Sequence, residues 1–240
     1  MDNNRFCKAI STSFSEYISS GTSRSTRKLV PLHSFIAKDL QQRLGKGYIV
    51  KSQGINDGKE ATVQGRYFNK KVDITIFYED TPVAGIAVKF VMQNYSQNAN
   101  NYFENMLGET ANLRSEAIPY FQIFVIPNKL PYFDKDGKIT KWENFTEHHI
   151  EKYLKLSKDD ANLFFHTPNK TLLFVIQLTT PEKENPNTSL NNRSGYLDYY
   201  SSNSVTITPD NRKIKDLGKS VIYNDYPAFI DKVFHTIRAR

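Results

Sequence analysis

At 240 residues the chain is long enough for one substantial hydrophobic core, and its 39% hydrophobic and 13% aromatic content excludes a disordered polymer. A net charge of +7 and a pI near 9.2 favour an anionic partner, nucleic acid ahead of an acidic membrane surface. The single cysteine, Cys7, excludes an internal disulfide and a cysteine-based zinc site, and its place near the N-terminus predicts a surface or half-buried thiol. No apolar run approaches the ~20 residues that span a bilayer, and MDNNRFCKAI lacks a secretion-signal core, so a soluble cytoplasmic protein is expected.

Phe6, Ile10, Phe14, Tyr17 and Ile18 recur at spacings of three and four, which predicts an amphipathic helix over residues 1–20. SGTSRSTRK, Ser20 to Lys28, follows as a polar, basic linker: a solvated loop or a phosphate contact. Pro31 opens a second helix, with Phe35, Ile36, Leu40 and Leu44 on one face and Gly45 as its stop. GYIVKSQG predicts a short strand. Thr62 to Tyr67 predicts another, returned by a turn at Asn69, Lys70 and Lys71 into VDITIFYED. Alternation there sets Val72, Ile74, Ile76 and Tyr78 against Asp73, Thr75 and Phe77. After a turn over Glu79 to Pro82, VAGIAVKFV is the third strand of the central stretch. Val83, Gly85, Ala87, Lys89 and Val91 share one face of it, and a lysine bracketed by apolar residues needs a reason.

A helix from about Gln97 to Leu113 carries Tyr102, Met106 and Leu113 in its apolar stripe, with Glu104 and Glu109 too far apart around the axis to share a tight face. IPYFQIFVIP is apolar enough to be a central strand. KLPYFDKDGKITKWENF is expected to be a loop with a turn at Asp136 and Gly137. Phe145 to Leu156 reads as a helix capped by Thr146, and Lys170 to Leu178 as a fifth strand. Thr179 to Gly195 is a polar loop rich in Asn and Pro. Two short segments, YLDYYSS and SVTIT, precede a closing helix from Tyr226 to Arg238. The expected architecture is a single α/β domain over residues 1–240, an α+β arrangement on a mixed sheet. Its core spans about 31–127, with an N-terminal helix at 1–20 and C-terminal additions at 128–240.

Asp73 and Lys89 fall on neighbouring predicted strands. Phosphodiester hydrolysis draws on that combination: Mg²⁺ prefers carboxylate oxygens, and a cation beside the attacking water offsets developing negative charge. Glu60, Glu104 and Glu109 offer further acids. The plain alternative is a structural Asp–Lys salt bridge. His148 and His149 point about 100° apart on a helix and read as a solvated face, not a metal grip. His166 and His235 have no partner visible in sequence. The chain has no Walker-type loop, GxGxxG or GxSxG, which leaves an ATP-driven machine or a serine hydrolase without support.

The stretch from about residue 31 to 127 resembles the PD-(D/E)XK nucleases, type II restriction endonucleases in particular. VDI at 72–74 is similar to the first motif, AVK at 87–89 to the (D/E)-X-K tripeptide, and the order of elements to that family's αβββαβ core. The resemblance implies a restriction-endonuclease-like fold in which Asp73 binds Mg²⁺, the Val88 carbonyl completes the coordination and Lys89 steers the water. Two positions depart from the pattern: Val72 stands where proline is common, and Ala87 where the tripeptide has its acid. Some members carry that carboxylate on the following helix, which makes Glu104 the first candidate and Glu109 the second. Glu60 looks like the additional glutamate that many members hold near the metal.

By resemblance the catalytic set is therefore Asp73, Lys89, Glu60 and Glu104, and the metal set Asp73, Val88, Glu104 and Glu60. Lys70, Lys71, Gln93, Asn94 and Arg114 are expected DNA contacts, to base edges or to phosphate. The loop at 181–195, with Tyr196, Tyr199 and Tyr200, is expected to form a recognition arm or a dimer contact. The implied activity is that of a Mg²⁺-dependent type II restriction endonuclease, cutting double-stranded DNA at a short specific sequence as a homodimer. Its cognate methyltransferase would be a separate protein. A structure-specific or repair nuclease of the same fold, and a non-catalytic nucleic-acid-binding module favoured by Ala87, stay open.

Overall fold

The alternating and continuous apolar runs assemble into a mixed sheet of seven strands in the computed structural model, which describes residues 1–22, 26–180 and 190–240. Helix α1 (Asn3–Ser20) starts where the Asp2 carboxylate accepts the Arg5 N–H and stops at Gly21, whose φ of 63° suits glycine. A short 3₁₀ turn, Arg27–Leu29, leads into α2 (Val30–Leu44). Then come β1 (Tyr48–Ser52), β2 (Ala61–Gln64), β3 (Asn69–Val72), β4 (Ile74–Tyr78) and β5 (Thr81–Phe90). Helix α3 (Tyr95–Arg114) crosses to β6 (Tyr120–Pro127). The remainder is β7 (Lys129–Phe133), β8 (Ile139–Asn144), α4 (Glu147–Lys158), β9 (Lys170–Thr179), α5 (Arg193–Ser202), β10 (Thr206–Pro209), β11 (Val221–Tyr223) and α6 (Tyr226–Arg238).

The main sheet runs β1-β4-β5-β6-β9-β10, with β11 also on β9. β1, β4 and β5 are antiparallel neighbours, whereas β5, β6 and β9 are parallel, as the crossover through α3 requires. Every residue of β6 is buried, so this strand is covered on both faces. On one face Ile86, Val88, Ile123 and Phe174 pack with residues of α1, α2 and α6. On the other, Phe124, Ile126, Leu173 and Val175 pack with residues of α3 and α4.

Four expectations are corrected. The segment from Lys129 to Phe145 is a β-hairpin, β7 against β8, with the anticipated turn inside it; Leu130 and Phe133 on alternate sides of Pro131 are buried and give it a reason to fold. Asn69, Lys70 and Lys71 belong to strand β3, not to a turn, and pair with β2 in a separate two-stranded sheet. The long strand expected over 72–80 is accordingly broken at Asp73. YLDYYSS lies in helix α5, and Tyr196 packs on Phe133, Trp142 and Tyr200 as core, not as an arm. Residues 181–189 of the expected arm lie outside the described residues. Cys7 is buried in the first core, and burial pushes its thiol up to about 11, which keeps it unreactive. Among the described residues no helix is long and apolar enough to cross a membrane.

Val63 and Val72 pack the β2–β3 hairpin on Leu113 and Tyr120, and its turn is held by a buried side chain. Asn112, on α3, accepts the Tyr67 N–H at 2.9 Å and donates to the Phe68 carbonyl at 2.9 Å. Gly65 permits this approach, since a Cβ there would sit 2.1 Å from the Asn112 amide nitrogen. Asn112→Ala is expected to cost about 1–3 kcal/mol in urea unfolding and to speed amide exchange at Tyr67 and Phe68.

Candidate active site

The site grows from a place where two strands part. β4 and β5 are paired from Tyr78–Thr81 to Ile74–Ile86, and beyond that the chain before Ile74 swings away to join β2, with Val72 opposite Ala61. In a strand the N–H and C=O of one residue point to the same edge, so Val88 loses its ladder partner where β4 departs. Asp73 fills the gap: its Oδ2 accepts the Val88 N–H at 2.7 Å. Its own carbonyl is held by the Ser52 hydroxyl, also at 2.7 Å. The Val88 carbonyl is directed to the same edge as its N–H. Lys89, one residue on, faces the layer formed by α3.

A cavity of about 330 Å³ opens there, lined among others by Asp73, Val88, Lys89, Glu109, Lys70 and Gln122. Two other hollows are larger, about 600 and 1150 Å³, but hold neither Asp73 nor Lys89. The Lys89 ammonium lies 4.2 Å from the centre of the Tyr102 ring. Glu109 is clamped by an ion pair with Lys70 and accepts the Tyr120 hydroxyl at 3.2 Å.

Asp73 keeps one side open to the cavity, yet burial still lifts its carboxyl from 3.8 to about 6, against the Val88 N–H and with help from the negative charge of Glu109. Burial lowers Lys89, opposed by the charges of Asp73 and Glu109. Lys28 reaches the same cavity and is drawn down to about 8, by burial first and by Lys89 second. A carboxylate and two lysines all held away from their ordinary protonation behaviour in one cavity mark it as the candidate site.

The structure brings together some of the expected residues and separates others. Glu109 lines the cavity; Glu104 does not. Five residues advance a helix by about 140° beyond a full turn, so Glu104 is exposed, its charge felt by Lys152 on α4. Glu60 accepts from the Gln53 amide at 2.7 Å and pairs with Lys71 at 3.3 Å. It also stands with His33 and Asp73, one potential ligand atom from each lying within 4.8 Å of the others. Lys70 is tied to Glu109, while Lys71 is exposed at the hairpin edge.

Asn94 and Arg114 spend their polar groups inside the fold, and Gln93 its amide oxygen. Gln93 accepts the Tyr17 hydroxyl at 2.9 Å. Asn94 exchanges two hydrogen bonds with the Phe133 backbone. Arg114 donates to the carbonyls of Ala161, Phe164 and Thr167. His148 is exposed beside Glu151, in keeping with a solvated helix face, but His149 is not: it closes the cap on α4 and its ring packs against Phe145 and Tyr95.

Lys28 and Gln122 are absent from the sequence-derived set. Gln122 had a signal, being the lone polar residue in YFQIFVI, and the parallel register sets it beside Ala87, the position lacking an acid. Lys28 had only a diffuse one, as the last residue of a basic run that reads as a solvated loop or a phosphate contact. No family model, curated protein or solved structure matches the chain.

The folded state holds the Asp73 proton up to about pH 6, while an unfolded aspartate releases it near 3.8. The residue's contribution to stability therefore falls as pH rises through that window. Asp73→Asn is expected to raise stability in metal-free buffer at pH 7 by up to about 3 kcal/mol. The gain should vanish below about pH 4, a difference that urea unfolding at the two pH values reads directly.

Proposed function

We propose that the chain is a Mg²⁺-dependent DNA endonuclease of the PD-(D/E)XK kind, acting as a type II restriction enzyme. The observation that carries this reading is the junction of β4 and β5, where the Asp73 carboxylate takes the Val88 N–H and Lys89 follows immediately. The order α2, β1, β4, β5, α3, β6, with the first three strands antiparallel and the last parallel, fits the expected αβββαβ core. The β2–β3 hairpin is an insertion into it.

The donor groups fit a hard dication. Asp73 has an oxygen not used by Val88, the Val88 carbonyl points to the same edge, and Glu60 stands close by. A bound cation would polarise the phosphodiester and acidify a water. Lys89, half-buried and with its pKa lowered by burial, would orient that water and, as an ammonium, offset charge gathering on the phosphate oxygens. Glu109, fixed by Lys70 and Tyr120, supplies from the helix the acid that Ala87 does not, in preference to Glu104. Exposed Lys71 and the net charge of +7 suit attraction of a polyanion. A homodimer, a cytoplasmic setting and a separate methyltransferase belong to the same proposal. The non-catalytic alternative leans on Ala87, and Glu109 weakens it.

Incubation of unmodified phage-length DNA with Mg²⁺ is expected to give discrete fragments, none with EDTA, at rates reduced about 10²-fold or more in Asp73→Ala and Lys89→Ala. Glu109→Gln should slow cutting strongly, and Glu104→Gln should leave it within about twofold. A smear or branch-selective cutting would turn the reading to a repair nuclease. A folded protein that binds DNA but never cuts it with Mg²⁺ would overturn catalysis altogether.

A further inference from the structure

His33, on α2, is fully buried, and neither of its ring nitrogens has a hydrogen-bond partner among the described residues. A neutral imidazole carries one donor and one acceptor, and leaving both unmet in the interior costs on the order of 1–3 kcal/mol each. Such a group calls for an explanation, and a bound ion is one of the few available. His33 does not face an apolar wall. One of its nitrogens lies within 4.8 Å of a carboxylate oxygen of Glu60 and of one from Asp73, and those two oxygens are equally close to each other.

We propose that His33, Glu60 and Asp73 form a mixed nitrogen and oxygen cation site that prefers Mn²⁺ or a later first-row dication to Mg²⁺. The inference rests on the nuclease reading in taking Asp73 as a cation ligand, and adds to it a ligand and a metal class. Bonds of about 2.0–2.2 Å from nitrogen and oxygen ligands put ligand atoms up to about 4.4 Å apart across an ion. Three ligands on one ion can, however, all be no more than about 3.8 Å from one another, so three atoms within 4.8 Å would close by up to about 1 Å on binding, a shift within reach of carboxylate side-chain rotation. Mg²⁺ and Ca²⁺ favour all-oxygen shells, whereas imidazole favours transition-metal ions.

The surrounding contacts leave room for this. Glu60 keeps lone pairs beyond those used by Gln53 and Lys71, and Lys71 is mostly exposed and free to turn away. Asp73 spends one oxygen on Val88. Two carboxylates supply the negative charge, and the imidazole supplies the selectivity. The site meets the Lys89 cavity only at Asp73, since neither His33 nor Glu60 lines that cavity.

The test is calorimetric titration of the DNA-free protein with MnCl₂ and with MgCl₂, for the wild type, His33→Gln and Glu60→Gln, each verified as folded by circular dichroism. The expected result is Mn²⁺ binding at least about tenfold tighter than Mg²⁺, with that preference lost in His33→Gln and both ions weakened in Glu60→Gln. Should His33→Gln fail to fold, wild-type NMR decides: substoichiometric Mn²⁺ should broaden the ring signals of one buried histidine among the five in the chain. Equal affinities for the two ions, an unchanged Mn²⁺ affinity in folded His33→Gln, or no selective broadening would overturn the proposal. Because DNA is absent, its failure leaves Mg²⁺-dependent cutting at Asp73 and Lys89 standing, and loss of cutting leaves the metal preference standing.

Discussion

The hydrogen bond from the Val88 N–H to the Asp73 carboxylate is the contact on which the candidate site depends. A sheet that simply continued would satisfy Val88 with backbone and bury the gap. Here the ladder ends at Ile74–Ile86, and a carboxylate takes the place of a carbonyl. An ionised acceptor makes a stronger bond than a neutral one, which offsets part of the cost of holding Asp73 in a crowded, poorly hydrated setting. What remains of that cost appears as the raised titration of the carboxyl. A bound cation or an added proton would relieve that cost.

Such a site needs a rigid frame. The sheet carries a separate core on each face, and β6 between them is buried along its whole length. The two ends of the chain meet on one of those faces. The rings of Phe6 and Tyr226 stack 4.3 Å apart, the Asn3 side chain accepts the Tyr226 N–H, and the Tyr226 hydroxyl reaches buried Asp39 on α2. Helix α2, which bears His33, is therefore fixed by contacts drawn from opposite ends of the sequence. Helix α3, which bears Glu109, is fixed from the other face by the Asn112 clamp and by Arg114 holding the loop after α4. Asp73, Glu109 and Lys89 converge on one cavity because both layers are pinned to one sheet.

Much of this was legible in the residues. Period-2 and period-3.6 patterns locate α1, α2, β5, α3, β6, β9 and α6 close to their observed bounds, since each buries a face or, for β6, both. The pair Asp73 and Lys89 was also visible, because a charged residue inside an apolar strand is costly enough to ask for a purpose. The hairpin β7–β8 and helix α5 were not. Their burial depends on partners distant in sequence, and short polar-rich segments carry too little periodicity to declare themselves.

The sequence by itself determined most strands of the main sheet, the positions of Asp73 and Lys89 and the excess of positive charge, because these are local properties of spacing and composition. Only the tertiary structure decided that Asp73 sits at a break and not within a strand. It also decided that Glu109 and not Glu104 faces the cavity, that Arg114 and Asn94 bind backbone, and that Lys28 and His33 come close to the site. Those outcomes follow from which helix face is turned inward and where a strand leaves its neighbour. Both are settled by packing between segments tens of residues apart, which no local pattern encodes.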